Sequence, residues 1–323
     1  MKIIKPSFDI IDQQPGIEGL LKHIELAGRT CYKSEDKITE GSAKEFVDRM
    51  IKSGHGAMLE HGTVYLTTQG DTSKWLSRYD MNHYSRVVDE TPGLPFWSYK
   101  LYITTNYRVL IEKGWLDDMY YMCEPTEWHK KRVTVKFMCD RVTGESFLRH
   151  RSIDEDHPTV EGMVTRDMEK DIDSFAREST RYCNYSKGKF GSELSVIQPP
   201  EFSDEDLGGY EFWWGDTCED AFRGLCNSIA DHGGEGLDVL DIWFFHALSA
   251  QWCYMKLIEK GWKAQQARRV LPMDIASPLV MTAYVEDWKH FFDLRCDPSA
   301  HPQARELAIP LRDEFIKRGL IES

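Results

Sequence analysis

The spacing of apolar and polar positions divides the chain into short strands and amphipathic helices. Across residues 39–54, Phe46, Val47, Met50 and Ile51 recur at helical intervals, which predicts one apolar helix face. Ser42 and Glu45 have the S-x-x-E spacing of a capping box, and Gly54 stands where the helix should close. The runs "TVYLTT", "KLYITT" and "RVTVKFMC" are short and rich in β-branched or aromatic residues, so they read as strands of one sheet. "DRVTGESFLRHR" follows as a turn marked by Thr143 and Gly144 leading into a short helix. Residues 241–260 predict a mostly apolar, buried helix ended by Gly261, and "KAQQARRVLP" a shorter one stopped by Pro272. "SPLVMTAYV" then reads as a strand and "EDWKHFFDLRC" as a helix.

Two stretches break this pattern. Residues 153–173 carry eight acids against two bases, the mark of a solvated excursion and not of core. "PPEFSDEDLGGYEFWWGD" is acidic as well, but its aromatic residues suit packing on a surface. No repeat or long Pro/Gly/Ser linker divides the 323 residues, a length that suits one large domain or two average ones.

Charge narrows the partners. A net charge of -13 argues against a broad nucleic-acid footprint and favours a local basic pocket for a small anion. "MKIIKPSFDI" does not read as a signal segment, and the longest apolar stretch is interrupted by Asp241, His246 and Gln251. The expectation is a cytoplasmic protein without a membrane anchor. The eight cysteines are scattered with no C-x-x-C pair, so reduced thiols and no metal site are expected.

Against that acidic balance, Arg149, His150 and Arg151 stand in a row. Past the acidic stretch, "SFARESTRYCNYS" supplies Ser174, Ser179, Thr180, Arg181 and Tyr182, and Arg268 and Arg295 lie farther along. Hydroxyls beside guanidinium groups suit a phosphate or a uracil-like ring, because the planar fork of donors is complemented by short adjustable ones. Each residue also has a plainer reading. A basic triplet ends many solvated helices, Arg268 and Arg269 complement a helix dipole, and Arg295 can snorkel from the apolar face of Phe291 and Phe292.

The order of these pieces resembles the flavin-dependent thymidylate synthase family: "CYKSEDK", "GHGAMLEH", "RHR" followed by a serine, "ESTRY", "ARRVLP", and "HFFDLR" with "AHPQARELA" behind it. The resemblance implies an α+β fold, a mixed or antiparallel sheet flanked by helices, in a single large domain. Insertions are then expected near residues 70–130, 153–173 and 200–240. It implies FAD as cofactor, NADPH and methylenetetrahydrofolate as co-substrates, dUMP as substrate, and a homotetramer whose sites are shared between subunits. On the flavin side the matching positions are His55, Glu60, Arg149, His150, Arg151 and His290. On the dUMP side they are Glu178, Ser179, Thr180, Arg181, Arg268 and Arg295, the last implied to bind the pyrimidine and favour its ionisation at N3. No Pro-Cys dipeptide is present, in contrast to the class of thymidylate synthase that attacks uracil with a cysteine. Neither a Rossmann glycine fingerprint nor a P-loop appears, so nucleotides must be held by scattered side chains.

The chain departs from the family in two places. Arg151 and Ser174 are 23 positions apart, an insertion of some twenty residues that suits either a surface loop or a lid. Ala176 and Arg177 replace the usual Asn and Glu or Gln, which puts a cation where the family often has an acid. These departures leave two alternatives: a different or modified pyrimidine nucleotide as substrate, or a nucleotide-binding module without chemistry.

Overall fold

The structure, a computed structural model, describes residues 1–70, 72–90, 100–148, 174–188, 191–208 and 218–322. Its strands are β1 (Lys2–Ile4), β2 (Ser7–Ile11), β3 (Thr63–Gln69), β4 (Arg86–Asp89), β5 (Lys100–Asn106), β6 (Arg132–Cys139), β7 (Ser174–Arg177), β8 (Ser195–Ile197) and β9 (Ser277–Tyr284). The principal helices are α1 (Gly16–Tyr32), α2 (Ser42–Lys52), α3 (Tyr107–Lys113), α4 (Arg141–Phe147), α5 (Cys218–His232), α6 (Val239–Glu259), α7 (Ala264–Ala267), α8 (Val285–Arg295) and α9 (Pro302–Lys317). The fold is α+β, with antiparallel sheets flanked by helices.

The strands expected in one sheet belong to two. β3 and β5 pair antiparallel, from Thr63 opposite Asn106 to Gln69 opposite Lys100, with β4 on the other edge of β5. β6 lies in a four-stranded antiparallel sheet of order β2-β6-β9-β7. Composition marks each run as a strand, but which strand pairs with which is decided by packing. β9 is buried at every position, as a central strand covered on both faces must be. β1 and β8 form a separate parallel pair.

Two large apolar cores result. One gathers Leu20 and Ile24 of α1 and Phe46 and Val47 of α2 with Val64, Leu66, Leu101 and Ile103 of the three-stranded sheet. The other packs Trp288, Phe291 and Phe292 of α8 and Leu307, Leu311 and Phe315 of α9 on Val135, Phe137, Leu279 and Met281 of the four-stranded sheet. A buried polar chain lies beside them. His23 Nε2 is 2.8 Å from Thr134 Oγ1, which is 2.7 Å from Thr282 Oγ1, and that hydroxyl is 2.8 Å from His61 Nδ1.

Local detail departs from the expected punctuation. Gly41, at φ 79°, caps α2, while Ser42 opens the helix and turns its hydroxyl to the Glu25 carboxylate at 2.8 Å, so no capping box forms with Glu45. Gly54 closes the segment at φ 70° as expected. Thr143 and Gly144 lie inside α4 and mark no turn; Asp140 starts that helix by accepting the Thr143 N–H at 2.8 Å. α6 is less buried than its apolar sequence implies, with Val239, Ile242 and Trp252 exposed. Of the stretches expected as insertions, 70–130 contributes β4 and β5 to the smaller sheet, 153–173 lies outside the described residues, and 200–240 is described in part.

Candidate active site

β7 ends at Arg177 and the chain turns at once. The Tyr182 and Cys183 amides both bond to the Ser179 carbonyl, at 3.1 and 3.0 Å, and the Ser179 amide bonds to the carbonyl of Cys31 at 2.9 Å. The turn is thus fixed to the end of α1. Arg181 and Tyr182 are exposed on it, the guanidinium 5.5 Å from the ring centroid, whereas Thr180 is buried and Ser179 half-buried.

Glu178, expected on the substrate side, is turned into the protein. Its Oε1 accepts the Tyr185 hydroxyl at 2.5 Å and its Oε2 lies 3.4 Å from the Lys33 ammonium, with the side chain 1% exposed. This carboxylate braces the turn from below. Burial, reinforced by Glu178, pushes the Tyr185 phenol far above its ordinary range. The same two causes raise the Cys31 thiol to about 11, which keeps it protonated near neutral pH. Lys33 reaches Glu178 from a left-handed backbone conformation, φ 46°, that caps α1. For a residue with a Cβ this costs about 1–2 kcal/mol, so the position carries a constraint beyond helix closure.

The N-terminal motif meets this turn through aromatic contacts. His55 Nδ1 is 2.7 Å from the Tyr32 hydroxyl, and the two rings stack at 6.3 Å between centroids. Tyr32 also contacts Tyr182, at 5.9 Å. Burial raises the Tyr32 phenol, helped by Cys31 and Tyr182 and opposed by Arg49. Glu60 is held by the Arg108 guanidinium, and its backbone carbonyl accepts from Arg132 at 2.9 Å.

Arg149, His150 and Arg151 lie outside the described residues. The helix leading to them, α4, is described, and Arg295 Nη2 donates to its Ser146 carbonyl at 2.5 Å from the end of α8. Arg268 is exposed just after Ala267, which packs with Cys183 and Tyr185 in one apolar cluster, so its segment borders the Ser179 turn. His290 is exposed on α8. Arg181 and His55 are therefore exposed near one another through the Tyr32 and Tyr182 rings, with Thr180 buried beneath, while His290 lies on α8 and Arg295 at its end against α4.

The two departures from the family pattern face the interior. Ala176 is 1% exposed. Arg177 donates to Ser277 Oγ at 3.0 Å, to Glu145 at 2.7 Å and to the Arg141 carbonyl at 2.8 Å. Burial, and then Arg141, lowers its guanidinium below the usual range without discharging it.

Tyr32, Lys33 and Tyr185 have no role in the sequence reading. The signal for the first two is their place in "CYKSEDK", where α1 ends at Tyr32 and Lys33 caps it; Tyr185 has none beyond its distance from Glu178. A cavity of about 380 Å³, lined by Gln13, His23, Tyr65, Arg132 and Arg318 among others, lies away from the Ser179 turn. Among the described residues no cluster of three or more His, Cys, Asp or Glu is placed to hold a metal ion. No helix among them is long and apolar enough to cross a membrane.

The surface sets the exposed His55 and Tyr182 rings beside the Arg181 guanidinium. The family described as thymidylate synthase complementing protein matches the chain over residues 125–318, more than half its length, and the chain belongs to that family. A flavin-dependent thymidylate synthase of Synechocystis sp. is 34% identical over 80 residues, 23% of this chain and 37% of the relative. One from Pyrococcus horikoshii is 37% identical over 61 residues, 19% of this chain and 25% of the relative. The matched segments thus span about a third or less of these relatives' length. Among solved structures, the UMP/dUMP methylase PolB from Streptomyces cacaoi bound with 5-Br dUMP has a TM-score of 0.39 at 17% identity, covering 98% of this chain and 93% of that one.

Proposed function

We propose that the chain is a flavin-dependent thymidylate synthase, converting dUMP to dTMP with FAD, NADPH and methylenetetrahydrofolate. The observation that carries this reading is the Tyr32 contact with both His55 and Tyr182. It joins the flavin-side motif and the nucleotide-side turn on one face, although they are more than a hundred residues apart in sequence.

The residues present suit the ligands. The exposed Tyr182 ring and the His55 imidazole offer faces to a planar ring system, and Ser179 and Arg181 offer donors to a phosphate. Arg149, His150, Arg151 and His290 would add to the flavin's hold, Glu60 with Arg108 would fix the loop carrying His55, and Thr180 and Arg268 would flank the nucleotide. When bound, the flavin supplies the electron transfer that no side chain can. Arg295 would hold the pyrimidine and stabilise negative charge at N3, so the ring carbon becomes more nucleophilic without a protein thiolate. The buried or half-buried cysteines near the turn fit that division of labour: Cys31 stays protonated and Cys183 is fully buried. A homotetramer that shares its sites between subunits goes with this reading. A cytoplasmic location goes with this reading.

The departures at Ala176 and Arg177 give no support to a different pyrimidine, since both side chains are engaged by the fold. The test is an absorbance spectrum of the purified protein with FAD, followed by NADPH and then dUMP. A yellow protein whose reduced flavin is reoxidised when dUMP and methylenetetrahydrofolate are added is expected. A colourless preparation indifferent to FAD would sink the reading.

A further inference from the structure

Arg132 opens β6 and is 8% exposed, yet no carboxylate among the described residues pairs with it. Its guanidinium is held by neutral groups: Nη1 donates to the Glu60 carbonyl at 2.9 Å and to Thr63 Oγ1 at 3.4 Å, and Nη2 to Ser174 Oγ at 2.9 Å. Nε is buried without a hydrogen bond, and the Tyr284 ring lies 5.6 Å from Cζ. A buried cation is costly unless a counter-ion or a ligand offsets it. Arg132 lines the cavity of about 380 Å³. That cavity and the Ser179 turn lie toward opposite ends of the four-stranded sheet, since Arg132 pairs with Tyr284, the last residue of β9, and Arg177 with Leu279 near its first.

Other donors line the same cavity. The Tyr65 hydroxyl accepts the Arg132 amide at 3.4 Å, and its own proton has no acceptor among the described residues. Lys131 is exposed and has no ion-pair partner among them. Gly16 opens the 17-residue α1, and its N-cap, Pro15, supplies no side-chain bond, so the first amides of the helix add positive potential. Two acids reach the lining without answering Arg132. Asp12 is engaged by Arg318 at 3.4 Å, and Glu124 is exposed. Ile10, Met122, Val133 and Leu320 supply apolar wall. A bare inorganic ion would leave that wall and most of the volume unused, whereas this size suits a small organic molecule. We infer that the cavity binds a small organic anion, a carboxylate or phosphate on an apolar body, whose charge answers Arg132 and Lys131 and whose body packs on Ile10, Met122 and Val133.

The cavity is separate from the Ser179 turn, so binding here stands or falls independently of the flavin and dUMP reading. Isothermal titration calorimetry with benzoate, phenyl phosphate and inorganic phosphate tests it, each titration repeated with FAD and dUMP in excess. At least one of the two organic anions is expected to bind once per chain in both conditions, and inorganic phosphate about tenfold more weakly or not at all. The tighter of benzoate and phenyl phosphate identifies the head group. Lys131→Glu should weaken that binding by about tenfold or more, and Tyr65→Phe by about fivefold, the scale of one neutral hydrogen bond. Arg132→Met should abolish it; if that variant does not fold, Lys131→Glu and Tyr65→Phe decide. Four results would each overturn the inference: no organic anion bound below about 10 mM, inorganic phosphate bound as tightly as the organic anions, affinity unchanged in both Lys131→Glu and Tyr65→Phe, or binding lost once dUMP is present.

Discussion

At Glu178 a carboxylate is buried beneath the turn that displays Ser179 and Arg181, with a phenol and an ammonium as its partners. Removing one member of such a group strands the others in a low-dielectric setting, so Glu178→Ala is expected to destabilise the fold by about 3 kcal/mol. Urea denaturation measures this; a loss below about 1 kcal/mol would mean the group is solvated and the turn is held by its backbone bonds. On the proposed function Arg295 acts on the pyrimidine and not on the fold's stability. Arg295→Ala should lower kcat for dUMP by about a hundredfold or more, on the scale of losing one preorganised stabilising group, while the protein still binds FAD; unchanged turnover would remove it from the pyrimidine site. The family was legible because the order of "GHGAMLEH", "ESTRY" and "HFFDLR" is written in the chain. The inward turn of Glu178 was not, since it depends on Tyr185 and Lys33 arriving from separate segments, and neither spacing nor composition records that meeting.

Among the elements, the strands and helices around the site were readable from period and composition, as β3, β5, β6, β9 and α8 attest. Their assignment to sheets was not. β5 prefers β3 and β4 over β6 because its apolar residues Leu101 and Ile103 complete the core under α1 and α2, a tertiary decision that overrides similar strand composition. α4 was misread for a related reason: Gly144, within the helix, resembles a turn signal until Arg177, which lies 3.3 Å from where its Cβ would be, is known. The start of α4 depends on Asp140, which is 1% exposed and satisfies the Thr143 amide. Asp140→Asn should keep this cap, whereas Asp140→Ala should cost about 1–2 kcal/mol, read as a lowered urea midpoint. Equal stability of the two variants would mean that the α4 N-terminus is held by the Arg141 amide bond to the Met273 carbonyl instead.

Across the whole molecule, the His23–Thr134–Thr282–His61 chain ties α1 and the loop bearing Glu60 to the centre of the four-stranded sheet. Burial, with Arg132 adding to it, pushes the His23 imidazole down to about 4, and burial likewise drives His61 well below its ordinary range. Both must stay neutral in the folded protein. The unfolded chain takes up these protons below pH 6.5, so the contribution is fully present above that pH and is lost as pH falls toward 4. For His23 alone the loss is about 3 kcal/mol. Denaturation at pH 7 and pH 4.5 should show the decline, and His23→Asn should flatten it; an equally steep decline in the variant would assign acid sensitivity to other groups.

β9 has a further consequence, one concerning the order in which the protein is made. Its neighbours β6 and β7 are synthesised more than ninety residues before it, yet they can pair only through it, and the hydroxyl that receives Arg177 is its first residue. Such long-range closure is slow, and it leaves apolar strand edges exposed while the chain emerges. The strand that leads into the Ser179 turn therefore has no sheet partner until β9, in the last sixth of the sequence, has been translated. A nascent chain should gain flavin-binding capacity abruptly and late.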